Sequence, residues 1–354
     1  MEAPDAIKWL NDLGVEFDKA EDGTMVTTHG GGTSRKRMHA AKDYSGSEIM
    51  RTIRDEVLNL KIPVVEFTSA VELLKDEKGQ VAGAVLLNME TGDYSVARAK
   101  TVVIATGGAG RMHYQGFPTS NHYGATADGL VLAYRAGARL LYQDTLQYHP
   151  TGVAFPSQIY GALVTEKVRS MGAQFVNVNG EAFMHPLETR DVAASGVIRE
   201  VARGNGIHTP LRDGIWLDSP MIDAIHGEGT LEKRLPGMLR MYLRYDIDMR
   251  KVPIVIYPTL HYQNGGVRVS VNGMSDVENL YVAGEAAGGV HGRNRLMGNS
   301  LLDVIVFGRN AGQEAGKQFK NVTLSDLTLE HVDSFEKECE AAGIHTDEVS
   351  PKIL

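Results

Sequence analysis

A polar loop that leads into a long apolar run, residues 291–309, constrains the fold most strongly. The loop contains Arg293 and Arg295, and Asn299 and Ser300 are suitable N-caps for a buried helix over the apolar run. The backbone N–H groups at the start of a helix lack partners within the helix, and the helix dipole is positive there. The sequence therefore predicts an anion site beside two arginines.

Two short apolar segments end in glycine-rich turns. Residues 279–289 predict a buried strand that leads into such a turn, and residues 101–111 contain a strand without polar alternation followed by the turn at 107–110. The absence of alternation indicates burial on both faces, as in a parallel sheet, and ligands collect at the carboxyl ends of such strands. Both turns are candidate ligand-contacting loops, although glycine turns also serve as plain strand exits.

Other segments predict further helices and an antiparallel meander. Helices are predicted over residues 4–14, after the capping-box pattern Ser45–Glu48, over 127–136 with Gly137 at the C-terminal cap, and over the acidic stretch 325–342. Strands are predicted at 62–67, 71–74, 81–87 and 94–97.

Length and charge exclude several classes of protein. A chain of 354 residues is long enough for two domains, and a net charge of −8 argues against a general nucleic-acid binder. The single cysteine, Cys339, is expected on an exposed helix, so neither a disulfide framework nor a thiolate metal cluster is predicted, and a reducing setting is the default. No apolar run approaches the roughly 20 residues that span a bilayer, and residues 1–20 do not resemble a secretion signal.

Histidine, arginine and carboxylate residues recur in four clusters. These clusters are 147–152, 163–169, 188–192 and 257–267. A single histidine is usually an ordinary core or surface residue. Here several residues of this kind occur together, so all of them would have to be ordinary at once. The basic tip at residues 35–37 is different: a solvated loop explains it more simply than a binding site.

A set of motifs occurs in a fixed order over about residues 5–320. They are Gly-Gly-Ala-Gly-Arg, His-Pro-Thr-Gly, Leu-Val-Thr-Glu-x-x-Arg, Arg-Asp-Val, His-Tyr-x-x-Gly-Gly, Gly-Glu-x-Ala-Gly-Gly and His-Gly-x-Asn-Arg-Leu-x-Gly-Asn-Ser-Leu-Leu-Asp. Because these motifs occur in the order typical of that family, the sequence resembles the flavoprotein subunit of the succinate dehydrogenase and fumarate reductase family, whose relatives include L-aspartate oxidase.

The resemblance implies an α/β fold, in which an FAD-binding domain of the two-dinucleotide-binding flavoprotein type is interrupted by an α+β capping domain. The FAD-binding domain would take residues 1–149 and 257–320, the capping domain 150–256, and the start of a C-terminal helical region 321–354. FAD is the implied cofactor, and a small dicarboxylate, fumarate or succinate, is the implied substrate.

The resemblance also implies roles for individual residues. The positions that hold the two carboxylates match His149, Thr165, His261 and Arg295. Arg190 matches the arginine that delivers or accepts the proton, with Glu166 and Arg169 as its relay. The cofactor-contacting positions match Gly107, Gly108, Asp128, Glu285, Asn299, Ser300 and Leu301. No residue matches a metal ligand.

These roles agree with the chemistry. Reduction of a carbon–carbon double bond between two carboxylates needs a hydride at one carbon and a proton at the other. We expect the two histidines, Arg295 and the Thr165 hydroxyl to hold the dianion through charge-assisted contacts. Because the pKa of arginine is very high, Arg190 needs a carboxylate such as Glu166 to pass the proton on.

The sequence departs from the family pattern at both ends. The Gly-x-Gly-x-x-Gly turn that binds the ADP half of FAD is absent, and the C-terminal helical region is only begun, so the chain resembles an internal piece of a longer flavoprotein. Three hypotheses therefore stand: a fumarate reductase or succinate dehydrogenase type of enzyme, an L-aspartate oxidase-like enzyme, and a catalytically incomplete fragment that does not hold FAD. The resemblance also implies an iron–sulfur or other electron-transfer partner protein, and a cytoplasmic location at the inner face of the cytoplasmic membrane through such partners.

Overall fold

The computed structural model describes residues 2–30, 32–112 and 116–344. The helices within these ranges are α1 (Ala3–Asp12), α2 (Ser45–Asn59), α3 (Asp128–Arg135), α4 (Lys167–Ser170), α5 (Arg190–Glu200), α6 (Met221–His226), α7 (Thr230–Arg234), α8 (Pro236–Leu243), α9 (Asn299–Gln318) and α10 (Glu330–Ala341). The strands are β1 (Thr68–Asp76), β2 (Val81–Asn88), β3 (Tyr94–Arg98), β4 (Val102–Ile104), β5 (Leu140–Leu141), β6 (Leu146–Val153), β7 (Gln174–Val176), β8 (Ala182–Met184), β9 (Ile215–Asp218), β10 (Ile254–Gln263), β11 (Gly266–Arg268), β12 (Leu280–Val282), β13 (Ala287–Gly288) and β14 (Leu327–Thr328).

Helices α1 and α2 pack against α9 through a small apolar cluster that includes Leu10, Ile49 and Ile305. Both helices were predicted, but the capping box at the start of α2 is wrong. Ser45 Oγ accepts the N–H of Ala41, and Glu48 Oε1 accepts the N–H of Glu16, so these side chains tie the helix to the preceding loop and form no cap.

Strands β1, β2 and β3 form the predicted antiparallel meander, which β14 extends beside β1. The strand predicted at 62–67 is wrong: this segment is irregular, because Pro63 has no N–H to donate and no strand in the described part of the chain pairs with it. The helix predicted over 325–342 begins only at Glu330, after β14, and Cys339 on it is half-buried rather than exposed. Residues 345–354 of the predicted C-terminal region lie outside the described residues.

Strands β4 and β12 form a parallel pair. The parallel setting of β4 was predicted from its lack of polar alternation, but its partner was not. Burial of β4 on both faces was wrong, because Val103 is 42% exposed and β12 is the sole neighbour of β4 among the described strands. The predicted helix α3 follows, and Gly137 beyond its end has a φ of 105°, the conformation for which a C-terminal cap selects glycine.

A five-stranded antiparallel sheet with the order β6-β10-β9-β7-β8 carries His149 on β6 and His261 on β10. Helices α5 to α8 surround it, and its apolar core includes Phe175, Leu217 and Ile256. Strand β6 pairs with strand β10, and in this pairing His149 lies opposite Thr259. The predicted limits of the capping domain fall within β6 and β10, and the division into domains stays a prediction.

Helix α9 confirms the helix predicted after the polar loop, but its N-cap is Gly298, with a φ of 77° and no side-chain cap hydrogen bond. The prediction of Asn299 or Ser300 as N-cap is therefore wrong, because both residues lie in the first turn. The helix is buried on one face only, since Leu301 is 40% exposed. Among the helices of the described residues, none has the length and apolar character needed to cross a membrane.

Candidate active site

A cavity of about 880 Å³ lies between the N-terminal segment, the ends of β6 and β10, and the start of α9. The predicted site residues that line it are His149, Thr165, Glu166, Arg190, His261, Glu285, Arg295, Asn299, Ser300 and Leu301. The structure thus brings together residues that are separated by up to 152 positions in the sequence, from His149 to Leu301.

Glu166 is a buried carboxylate surrounded by cationic and histidine side chains. Its Oε2 lies 3.0 Å from Arg190 Nε, 3.2 Å from Arg169 Nη2 and 3.7 Å from His149 Nε2. Burial alone would raise the pKa of this carboxyl, but the contact with His149 and the two guanidinium charges hold it below its usual range. Glu166 is therefore a carboxylate in direct contact with Arg190, the geometry that the predicted relay requires. Arg169 lies behind it, buried, and burial lowers the pKa of Arg169 to about 10.

The two histidines face each other with ring centres 5.2 Å apart. His149 Nδ1 lies 3.1 Å from Thr151 Oγ1, and His261 Nδ1 lies 2.9 Å from Ser120 Oγ. Burial, and then the charge of Arg190, lower the pKa of His149 to about 3, and burial also lowers the pKa of His261 well below its usual value. Both rings are consequently neutral near pH 7. A neutral imidazole N–H that donates to a carboxylate still makes a charge-assisted hydrogen bond, because the acceptor is ionised, so the role of the two histidines in holding a dianion stays a prediction.

Arg295 is a buried arginine whose main chain is firmly held. Its N–H donates to Asn264 Oδ1 at 3.1 Å, and its carbonyl accepts Gln147 Nε2 at 2.7 Å. Its Nε and Nη2 have no hydrogen-bond partner within the part of the chain that the structure describes. Burial lowers its pKa to about 10, with the charge of Arg190 adding to that effect. A buried guanidinium without acceptors is costly, so this geometry calls for an anion in the cavity.

Gln147 and Tyr262 belong to the site although the sequence assigned them no role. Gln147 Oε1 accepts Arg190 Nη1 at 3.1 Å while its amide binds the Arg295 carbonyl, so Gln147 joins the two arginines. The Arg295 guanidinium lies 4.1 Å from the centre of the Tyr262 ring. A signal existed for Gln147, because it is two residues from His149 on one strand and therefore on the same face.

The predicted flavin-side glycines lie outside the cavity lining. The backbone at Gly108 closely approaches Glu285, since a Cβ there would lie 2.7 Å from Glu285 Oε1, and Glu285 in turn lines the cavity. Gly107 has a φ of 79°, which favours glycine. Asp128 is exposed at the start of α3 and hydrogen-bonds Thr126. For Gly107, Gly108 and Asp128 a cofactor contact stays a prediction.

The fold and the cavity define a class of protein: an α/β chain with a buried cationic site next to the first turn of a helix. The FAD binding domain family matches residues 1–301. This match covers most of the chain, so the chain belongs to the FAD binding domain family.

Several relatives share the sequence and the fold. The chain is 36% identical over 322 residues to a fumarate reductase (CoM/CoB) subunit of Methanothermobacter marburgensis, covering 89% of this chain and 57% of the relative. It is 35% identical over 320 residues to the L-aspartate oxidase of Streptomyces coelicolor, covering 86% of this chain and 53% of the relative. A solved E. coli quinol fumarate reductase has a TM-score of 0.82 at 30% identity, covering 96% of this chain and 60% of the other. The chain thus spans less than two thirds of the length of each.

The residues around the cavity fit the flavin end of FAD. Asn299, Ser300 and Leu301 in the first turn of α9 line the cavity, and no side chain caps that turn. Backbone N–H groups in this position stabilise negative charge on a bound ring or phosphate. The cavity volume of about 880 Å³ lies within the range of small-molecule and cofactor sites.

Proposed function

We propose that this chain carries the dicarboxylate site of an FAD-dependent oxidoreductase that interconverts fumarate and succinate. The observation that carries the proposal is the buried Arg295 guanidinium, whose Nε and Nη2 lack hydrogen-bond partners in the described residues, in a cavity shared with the start of α9. A planar guanidinium matches a carboxylate with two parallel hydrogen bonds. The similarity to a fumarate reductase from Methanothermobacter marburgensis supports the same substrate class.

The chain's own residues divide into holding and proton-transfer roles. Arg295 binds one carboxylate, and His149, His261 and Thr165 hydrogen-bond the substrate as neutral groups. Arg190 delivers or accepts the proton at the substrate carbon, because its guanidinium lines the cavity and its Nε contacts Glu166 at 3.0 Å. Glu166 and Arg169 relay that proton.

FAD, when bound, supplies the centre that gives or takes the hydride, and Glu285, Asn299, Ser300 and Leu301 would hold it. Glu285 is half-buried, its Oε1 accepts the N–H of Gln263 at 2.8 Å, and burial raises its pKa, which suits a position beside an uncharged ring edge.

An L-aspartate oxidase-like activity is the second candidate, and the similarity to the Streptomyces coelicolor enzyme favours it. L-Aspartate carries two carboxylates as succinate does, but it also carries an ammonium group. The cavity is lined by the guanidinium groups of Arg190 and Arg295, which repel a cation, so we expect weaker binding of L-aspartate than of succinate.

Calorimetric titration of the full chain with FAD, and then with malonate, succinate and L-aspartate, tests the proposal. We expect FAD binding, and binding of malonate and succinate that is tighter than that of L-aspartate. Tighter binding of L-aspartate would favour the second candidate. No uptake of FAD would favour the third hypothesis, a fragment that does not hold the cofactor.

The partner and the location follow from the same proposal. The Methanothermobacter marburgensis relative is named as one subunit of its enzyme, which suggests that this chain also works with an electron-transfer partner, such as an iron–sulfur protein. The pair would work in the cytoplasm at the inner face of the membrane. Co-purification with an iron–sulfur protein from cells that express the chain tests this assignment.

A further inference from the structure

Tyr262 lies where the carboxylate-binding residues meet the start of α9. It is 3% exposed, lines the cavity and directly follows His261 on β10. One face of its ring is 4.1 Å from the Arg295 guanidinium carbon. The His291 ring meets it edge-on with the centres 5.8 Å apart.

A second contact links the Tyr262 ring to helix α9. The His291 ring that meets Tyr262 edge-on has its Nε2 3.1 Å from Oδ2 of Asp303, which lies on α9. The Tyr262 ring therefore contacts both the Arg295 guanidinium and a histidine that is bound to α9.

Arg295 needs such support for its side chain. Hydrogen bonds from its N–H to Asn264 and from Gln147 to its carbonyl fix its backbone, but its Nε and Nη2 have no hydrogen-bond partner among the described residues. A long side chain that is free to change rotamer loses conformational entropy when it binds an anion. A cation held over an aromatic ring in a buried site is already oriented, so less entropy is lost.

We propose that Tyr262 is a positioning residue: its ring aims the Arg295 guanidinium into the cavity. This inference rests on the proposed function, because it assigns Tyr262 a part in anion binding by Arg295. A plain core role for Tyr262 predicts instead that any apolar residue of similar size supports the site equally well.

Substitutions at Tyr262 separate the ring from the hydroxyl. Tyr262→Phe keeps the ring over Arg295 and removes only the hydroxyl, whereas Tyr262→Leu and Tyr262→Met remove the ring. Tyr242→Phe is the matched control, because Tyr242 is a fully buried tyrosine in the core of the five-stranded sheet and does not line the cavity.

Malonate is titrated calorimetrically into the full chain of wild type and each variant. We expect Tyr262→Leu and Tyr262→Met to weaken malonate binding by about 5- to 30-fold, the range of a desolvated cation–π contact. Tyr262→Phe should stay within about threefold of wild type and Tyr242→Phe should match it. Wild-type affinity in Tyr262→Leu or Tyr262→Met, or an equal loss in Tyr262→Phe, would overturn the inference.

A crystal structure of Tyr262→Leu or Tyr262→Met decides the matter independently of ligand binding. A displaced Arg295 guanidinium supports the inference, and an unmoved one overturns it. Failure of wild type to bind malonate would count against the proposed function alone, and the position of Arg295 in the variant would still decide the role of Tyr262.

Discussion

Replacing Arg190 by alanine perturbs the proposed proton transfer most directly. Arg190 is 8% exposed, donates from Nε to Glu166 and from Nη1 to Gln147, and lines the cavity. A positioned acid contributes about 10²- to 10⁴-fold to a rate, so fumarate turnover should fall by at least about 100-fold. Malonate affinity should change little, because Arg295 is retained as the proposed anchor.

The substitution also has a calculable effect on stability. Removing one partner of a buried ion pair costs roughly 3–5 kcal/mol, and the lower end applies here because Arg169 still lies 3.2 Å from Glu166. Arg139→Ala is the control, since the Arg139 side chain is exposed and a salt bridge made by an exposed side chain contributes little to stability. Anaerobic stopped-flow reoxidation of the reduced, FAD-loaded chain by fumarate measures the rate, and urea unfolding measures the stability. Turnover within threefold of wild type in Arg190→Ala would refute the assigned role.

Three further perturbations test other parts of the site. Arg295→Ala should weaken malonate binding by about 10- to 150-fold in calorimetry, the range of charged hydrogen bonds, and unchanged affinity would contradict the anchoring role. The pKa of His149 is about 3 in the folded state and about 6.5 in the unfolded state, so the unfolded chain binds a proton first as the pH falls and acid favours unfolding. Urea unfolding at pH 7 and pH 5 should show that the free energy of unfolding falls by up to about 1.4 kcal/mol per pH unit below 6.5. The fall should be smaller in His149→Gln. An equal pH slope in both proteins would contradict the buried neutral ring. Asp43→Ala should lower the free energy of unfolding by about 0.5–2 kcal/mol, because Asp43 accepts the N–H groups of Gly237 and Met238 at the start of α8, and no loss in urea unfolding would contradict this capping.

The parts of the fold that were predicted correctly from the sequence are those that depend on neighbouring residues in the chain. Hydrophobic periodicity and turn residues predicted three parts of the fold: helix α3 with Gly137 beyond its end, the meander β1–β3, and helix α9 after the polar loop. The prediction of a strand at 62–67 was wrong, because residues with high β-propensity form a strand only where another strand can pair with them. The predicted N-cap of α2 was wrong because Ser45 and Glu48 hydrogen-bond residues of the preceding loop. The predicted N-cap of α9 was wrong because Gly298 occupies that position.

Part of the cavity lining was predictable, but the segment 3–49 that closes one side of it and the electrostatics of the site were not. Ordered motifs placed ten of the predicted site residues around the cavity. The neutral state of His149 and His261 depends on the burial of His149, the partial burial of His261 and the nearby arginines, which only the three-dimensional arrangement reveals. The same holds for Tyr262, whose ring contacts Arg295 from 33 residues away in the sequence.

The central claim is that the cavity binds a dicarboxylate beside a bound flavin. The most direct test is the visible absorption spectrum of the chain loaded with FAD, reduced with dithionite and then mixed with fumarate without oxygen. The account predicts that the flavin band bleaches on reduction and returns when fumarate is added. A reduced flavin that stays bleached in the presence of fumarate would contradict it.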